Sequence, residues 1–433
     1  MPTHLPTSAP TRRMGHTHSA INPRPARVAS GSVPSKVLIV GAGPAGTACA
    51  VMLHRAGHDV TVVDKAVFPR DKCCGDGLTT NALRRLEELG FDPASVADWR
   101  PTRVASVRSP GGVDIDVSLP DGPGQFAAIA PRMQLDHALV EHCRALGITV
   151  HEACAFDSIV SHDARRIIAR IDGLGDVEAD WVVAADGMWS PVRKSLGLST
   201  SGYLGEWHAF RQYVDNVSGT AATTLHVWFD EDLLPGYAWS FPLPNNRVNF
   251  GFGMVRQEGR SVQHMNDLWD DLLSRPHIVA ALGPHAAPRD RRTAWPIPAR
   301  IDAAVRSSGR VLFVGDAVCA TDILTGEGIG QALETGIAAA EAIDTGATPA
   351  RVRAAYSKRI DHLLLADHRM SALLSRALSS RRRTEAALWL VNRTSWTRRN
   401  FARWMFEDEA RASAFTPRRW HRRYLGRPGA FAD

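Results

Sequence analysis

Apolar runs without polar alternation mark strands covered on both faces, and a few such runs organise this chain. Residues 37–40 (Val-Leu-Ile-Val) run straight into Gly41-Ala42-Gly43-Pro44-Ala45-Gly46. The Ala/Leu-rich stretch from Pro44 to Arg55 predicts a helix, closed by Gly57. A β-rich run at 60–63 ends in Asp64, and a later one at 177–184 ends in Asp186-Gly187. Another at 310–314 ends in Gly315-Asp316, after which Gly326-Glu327-Gly328-Ile329-Gly330 leads into an alanine-rich helix. Residues 102–130 alternate short β runs with Gly/Pro turns, which predicts a small antiparallel element. From about 200 to 300 the pattern changes to aromatic and β-branched runs at 207–214, 222–229, 237–241 and 247–253, a mainly antiparallel sheet. Helices are predicted over 349–378 and 383–407.

This order predicts an α/β fold. A Rossmann-like domain would occupy 37–200 and 301–345, with an inserted substrate domain at 201–300 and a C-terminal helical region at 346–433. Residues 1–36, rich in Pro, Ser, Thr and His without an apolar period, predict a disordered basic extension, within which Met14 is an alternative start.

Charge sharpens the picture. Residues 1–36 carry five basic and no acidic residues, and residues 376–427 carry fourteen Arg against four acids. The whole chain is +6, which leaves residues 37–375 at −8. An acidic body argues against a nucleic-acid groove and leaves a basic tail to explain. The six cysteines lack zinc-type spacing, and His142, His151 and His226 stand alone, so no metal is assigned. Reduced thiols and a cytoplasmic location are the default expectation, and no apolar segment reads as a secretory signal or membrane span.

The glycine turn carries the first chemistry. Gly41 permits a tight turn, Gly43 lets a pyrophosphate approach the backbone, and Gly46 allows close helix packing. Free N–H groups at the helix start favour an anion. Asp64, 23 residues after Gly41, stands where a carboxylate can accept from a ribose diol. This much assigns a dinucleotide, either FAD or NAD. The junctions at Asp186 and Asp316 decide for FAD. A nicotinamide site needs only the first junction, whereas a ribityl chain and flavin ring need further polar strand ends and a helix start facing the pyrimidine edge.

Three further motifs carry a resemblance. Phe68-Pro69-Arg70-Asp71-Lys72-Cys73-Cys74-Gly75-Asp76-Gly77 follows the acid; Tyr237, Trp239, Phe241 and Pro242 form a Tyr-x-Trp-x-Phe-Pro signature, followed by Gly251; Arg132, Leu135 and Asp136 open a helix. Residues 37 to about 345 thereby resemble the geranylgeranyl reductase family of FAD-dependent oxidoreductases, with a p-hydroxybenzoate hydroxylase-like fold. Within it the likeness is to actinobacterial reductases that saturate one isoprene unit of a menaquinone. The resemblance implies that Gly41, Gly43, Ala45, Gly46, Asp64 and Lys65 hold the ADP half of FAD. It implies that Arg132 contacts the cofactor, Asp186 and Gly187 lie near the pyrophosphate, Gly315 and Asp316 hold ribityl, and Gly328 and Ile329 meet the ring edge. Cys74, Tyr237 and Trp239 become the expected catalytic group, and Gly75, Asp76, Gly77, Phe241 and Pro242 the expected substrate contacts.

Some alternatives stay open. Cys74 is a structural thiol, half of a Cys73–Cys74 disulfide, a redox relay, or a residue near the reacting alkene; Arg70 and Lys72 could lower its pKa. Trp389, Trp396, Trp404 and Trp420 stand among many Arg residues, and steps of 7 and 8 place the first three on one helical face. That composition suits a helix lying on an anionic membrane, or an amphipathic helix packed on the flavin domain. The expected activity is reduction of isolated C=C bonds in a polyprenyl chain. The rivals are a flavin monooxygenase or epoxidase and a flavin electron carrier. The electron donor, NADPH or a small electron carrier, is not named by any second glycine motif.

Overall fold

The computed structural model describes residues 33–163, 165–256, 262–413, 416, 424 and 426–432. The expectations placed on residues 1–32, including Met14, and on Trp420 lie outside these.

The chain begins β1 (Lys36–Val40), α1 (Pro44–Arg55), β2 (Asp59–Val63) and α2 (Thr80–Glu88). A hairpin, β3 (Val104–Arg108) and β4 (Asp114–Ser118), precedes α3 (Arg132–Ala145) and β5 (Thr149–His151). After a three-stranded antiparallel flap come β6 (Trp181–Ala184), β7 (Trp207–Asp215), β8 (Leu225–Trp228), β9 (Tyr237–Leu243) and β10 (Arg247–Val255). The return runs through β11 (Thr293–Ile297), β12 (Val311–Phe313), α4 (Ile329–Ile343), α5 (Pro349–Ile360) and α6 (Ala366–Ala377). Two last helices, α7 (Arg381–Val391) and α8 (Ser395–Met405), follow.

A six-stranded sheet places β12, β6, β1, β2 and β5 side by side in parallel, with β1 central. Val37, Leu38, Ile39 and Val40 are all buried because helices cover both faces, which is why the run shows no alternation. Helices α1 and α4 cross here at close range: a Cβ on Gly336 would meet the Ala45 carbonyl oxygen at 2.2 Å. All three acid-bearing junctions follow β2, β6 and β12, so they converge at the carboxyl ends of neighbouring strands, the usual ligand edge of such sheets.

The second sheet has eight strands, running β7–β10–β9–β8–β3–β4 from a short strand at 287–288, with β11 paired to β7. It therefore recruits the hairpin of residues 104–118, which lies outside the 201–300 stretch expected to form it. The reason is burial: Ala105, Val107, Ile115 and Val117 share an apolar cluster with Leu225, Val227, Leu388 and Ala402. Their alternation marked them as strands, but the parallel pairing of β3 with β8 is non-local and left no local signature. The run expected over 177–184 likewise splits between a flap strand (Gly175–Ala179) and β6.

Candidate active site

The glycine turn builds one end of a cavity of about 1350 Å³ that runs between the two sheets. Gly41 takes φ +106°, and a Cβ there would lie 2.3 Å from the Ala185 carbonyl oxygen. Gly43 is the opposite case: its φ of −77° is ordinary, and a Cβ would meet only the Arg70 guanidinium, at 3.7 Å. The space over the first turn of α1 is therefore open. Gly46 instead packs against the Gly41 carbonyl, and Ala45 lines the cavity. The Asp64 carboxylate accepts the Ala42 N–H at 2.8 Å and the Ala66 N–H at 2.9 Å, and with Lys65 it borders the same space.

At the second junction Asp186 Oδ2 accepts the Val192 N–H at 3.0 Å, while Oδ1 is buried without a hydrogen-bond partner. Burial pushes this carboxyl up to about 6. Gly187 lines the cavity beside it. At the third, Gly315 turns the chain with φ +59° and Asp316 faces the cavity, 3.7 Å from Lys72 Nζ. Gly328 and Ile329 border it where α4 begins, although the Gly330 N–H there is taken by Glu327 Oε1 at 2.9 Å. Arg132 lines the wall with its fork closed on Asp136, at 2.8 Å in both arms. Burial opposes its charge, but Asp136 outweighs that and holds the guanidinium more basic than usual.

The loop of residues 68–77 spans from these acids to the second sheet. Arg211, buried in β7, clamps Asp71 at 2.6 Å. Lys72 stacks on Trp295 at 3.9 Å, and Asn249 Nδ2 donates to the Cys74 carbonyl at 2.8 Å. Gly75 and Gly77 rest on the ring of Phe241. Burial outweighs the cations around Cys74, of which Arg132 pulls hardest, and pushes the thiol up to about 11; Arg70 and Lys72 are themselves drawn to Asp136 (3.0 Å) and Asp316 (3.7 Å). Cys73 and Cys74 are both free thiols, so they form no vicinal disulfide.

Tyr237, Trp239 and Phe241 share the cavity face of β9. Opposite them on β10 stand Gly253 and Gly251; a Cβ on Gly251 would lie 2.4 Å from the Trp239 ring, so the glycine makes room for it. Two expected substrate contacts do not reach the cavity. Pro242 points to the other face of β9, as the period of two requires. Asp76 is fully buried behind the loop, where it accepts from Tyr213 (2.7 Å), Asn249 (2.7 Å) and the Arg132 N–H (3.0 Å).

The far wall comes from α7 and α8, which contribute Leu388, Val391, Phe401, Trp404 and Met405. The proposed single face of tryptophans is broken. Thr394 starts a new helix with a reciprocal cap on Thr397, so Trp404 turns inward onto Phe401 (ring centroids 6.0 Å) while Trp389 and Trp396 stay 61% and 65% exposed. Sequence reasoning missed this wall, and also Glu327 on the cavity lining with Glu407 and Arg411 behind it. The apolar inner positions of 383–407 were the available signal.

The residues fit a flavin dinucleotide. Open space over Gly43 meets the N–H groups at the start of α1, Asp186 offers an unpaired oxygen, and polar strand ends give way to an apolar chamber. A parallel sheet with this turn and these strand ends defines a dinucleotide-binding flavoprotein. Residues 34–351 match the family described as "FAD binding domain". A "Menaquinone reductase" of Mycobacterium tuberculosis is 32% identical over 334 residues, covering 71% of this chain and 76% of that protein. A "Digeranylgeranylglycerophospholipid reductase" of Methanosarcina acetivorans is 26% identical over 316 residues, covering 71% and 74%. Among solved structures, a geranylgeranyl bacteriochlorophyll reductase-like protein of Thermoplasma acidophilum superposes with TM-score 0.72 at 19% identity, covering 89% of this chain and 99% of that one. A flavin-dependent halogenase superposes with TM-score 0.63 at 24% identity, covering 90% and 74%, a likeness of fold. The chain belongs to the geranylgeranyl reductase family of FAD-dependent oxidoreductases. FAD is its cofactor.

Proposed function

We propose that this enzyme saturates isolated C=C bonds of a polyprenyl chain, either a menaquinone side chain or a geranylgeranyl lipid. The observation that carries the reading is the continuity of one cavity from the nucleotide turn to an apolar chamber walled by Tyr237, Trp239, Phe241 and the inner faces of α7 and α8. Its volume of about 1350 Å³ exceeds the ~300–1,000 Å³ of a single-ligand pocket, which suits a cofactor and a lipid in one space. The names of the reductase relatives support the same substrate class.

Bound and reduced, FAD supplies a hydride. The chain's residues do the rest. The aromatic face of β9 orients the alkene, and the loop bearing Cys74, braced by Asn249 and Phe241, closes the chamber against water. With a thiol pushed up to about 11, Cys74 acts here by position. NADPH or a small electron carrier would reduce the cofactor.

Such a substrate lives in a bilayer. No helix among the described residues is long and apolar enough to cross a membrane. The reading is peripheral docking on the inner face of the cell membrane through exposed Trp389, Leu390 and Trp396, which sit among Arg382, Arg383 and Arg393 next to the far wall.

The test is anaerobic. Chemically reduced holoenzyme is mixed with a polyprenyl quinone or diphosphate, and a mass gain of two hydrogens is expected. A gain of one oxygen only after air is admitted would make it a monooxygenase. Absence of product, with electrons passing to a membrane acceptor, would make it a carrier.

A further inference from the structure

An isolated alkene needs a proton as well as a hydride, and the chamber contains one carboxyl that the reading above leaves without a task. Glu327 lines the cavity in the loop before α4. Its Oε1 accepts the Gly330 N–H at 2.9 Å, its carbonyl accepts the Asp322 N–H at 2.8 Å, and its own N–H donates to Thr325 Oγ1 at 3.3 Å, so the side chain is held in place. It is close enough to Cys74 and Tyr237 for its charge to act on both.

Behind it the charges do not balance. Arg411 reaches Asp322 at 2.5 Å and Glu407 at 3.0 Å, and with Glu327 these make three carboxyls around one guanidinium. Asp367, close to Arg411, adds a fourth and accepts the Ala412 N–H at 2.7 Å. Glu334 on α4 also faces Glu407, but it is paired with Arg85 at 3.1 Å. Asp322 has the richest set of donors: Arg411, the N–H groups of Leu324 and Thr325, and the Thr325 hydroxyl. Burial opposes its charge, but Arg411 and these donors hold it ionised, below the usual carboxylate range. Glu407 receives Thr79 Oγ1 at 3.2 Å and Gln331 Nε2 at 3.1 Å. Arg411 is held closest by Asp322, so Glu327 and the more distant Glu407 are where protons remain. Burial pushes Glu327 up to about 7 and Glu407 up to about 8, the latter with Glu327 among the charges that raise it. The pair titrates as a unit.

We propose that Glu327 is the catalytic proton donor of the reduction, with Glu407 behind it as the proton reserve. This rests on the polyprenyl reading. The Glu327 O–H bond breaks and its proton goes to one alkene carbon while hydride from the reduced cofactor goes to the other. The π bond is consumed and two C–H bonds form, the hydride with its two electrons being what the reduced cofactor would supply, and the carboxylate regains its proton from Glu407. Asp186 lies at the nucleotide end, beside the glycine turn, and of the acids beside Glu327 two are weaker. Cys74 stands at about 11, and the Tyr237 hydroxyl, pushed up by burial, already donates to the Thr325 carbonyl.

The test uses holoenzyme and Glu327→Gln. Wild type should show an infrared carboxyl band that titrates near pH 7, and the variant should lack it while keeping its FAD spectrum and binding a polyprenyl quinone within about threefold. In anaerobic single turnover with pre-reduced enzyme, E327Q should be slower by ~10²–10⁴-fold. The wild-type rate should fall as pH rises through about 7, where the donor loses its proton. Glu327→Asp, which keeps a retracted carboxyl, should recover part of the rate and the pH limb, and it carries the test if E327Q does not retain FAD. An E327Q enzyme with wild-type rate and pH limb, or an unchanged infrared band, overturns the proposal. Wild type that forms no hydrogenated product overturns the polyprenyl reading instead, and the infrared band still reports on Glu327 independently.

Discussion

Gly41 and Gly43 stand two residues apart, yet they should fail for different reasons. Ala at Gly41 would drive a methyl to 2.3 Å from a backbone carbonyl at φ +106°, so the β1–α1 turn has to open. Strain of that kind costs on the order of 1–3 kcal/mol before any displacement of β6 is counted. Ala at Gly43 finds φ −77° and no atom nearer than 3.7 Å. The cofactor-free protein should tolerate it, and at a permitted φ the change even stabilises by about 0.4–1 kcal/mol through the unfolded chain. The methyl fills the space through which a phosphate reaches the N–H groups at the start of α1. Loss of two charge-assisted hydrogen bonds at ~1.5–3 kcal/mol each amounts to ~3–6 kcal/mol, or roughly 10²–10⁴-fold in the Kd for FAD. The assay is reconstitution of apoprotein followed by flavin fluorescence, with urea unfolding of the apo forms alongside. G43A that binds FAD within about threefold of wild type, or whose apo form loses more than ~2 kcal/mol, would refute the assignment of that space.

Three further outcomes are expected. The Asp186 carboxyl is raised to about 6, so the native state holds its proton more tightly than the unfolded chain, and stability falls as pH rises from about 4 through 6. Apo D186N should therefore be more stable than wild type at pH 7.5, by on the order of 3 kcal/mol, and the gap should close below pH 4; a gap independent of pH in urea unfolding would contradict this. Cys74, held near 11, should alkylate more slowly than a free cysteine at pH 8 and accelerate only well above it, as read by peptide mass mapping. Trp389 and Trp396 are 61% and 65% exposed, so W389S/W396S should change stability by less than ~0.5 kcal/mol while losing at least tenfold in co-sedimentation with anionic vesicles; equal binding by the variant would remove that face as the docking surface.

Four strands of the parallel sheet, β1, β2, β6 and β12, were legible in the sequence because each runs toward a glycine or acid whose chemistry is local; β5, three residues long, was not expected. The same holds for Tyr237, Trp239 and Phe241, where a period of two fixes the shared face. What was hidden depended on partners distant in the chain. The thiol of Cys74 was expected to be lowered by Arg70 and Lys72, its neighbours in sequence, but burial under elements distant in the chain outweighs the nearby cations and raises it. The break at Thr394 turned a tryptophan stripe into one inward and two outward residues, and a reciprocal Thr394–Thr397 cap is a weak signal beside a strong heptad-like spacing. Glu327 was visible inside a glycine-rich turn, but nothing local showed that Glu407 and Arg411, some 80 residues on, would close over it.

Two of the three motifs that carry the family likeness, the 68–77 loop and the aromatic signature on β9, are physically one device. Asn249 is fully buried beside them; its Oδ1 accepts from Trp239 Nε1 at 3.1 Å, and its Nδ2 donates to the Cys74 carbonyl at 2.8 Å and to Asp76 Oδ2 at 2.7 Å. Asp76 in turn takes the Tyr213 hydroxyl and the first N–H of α3, so the loop is tied to the eight-stranded sheet and to the helix bearing Arg132. A buried carboxylate costs free energy unless its lone pairs are met, and here three donors meet them. Asp76 is therefore a brace of the loop, although it never faces the chamber. Through Asn249 it holds the thiol-bearing loop against the aromatic wall of β9, so the width of the cavity between Cys74 and Trp239 depends on it.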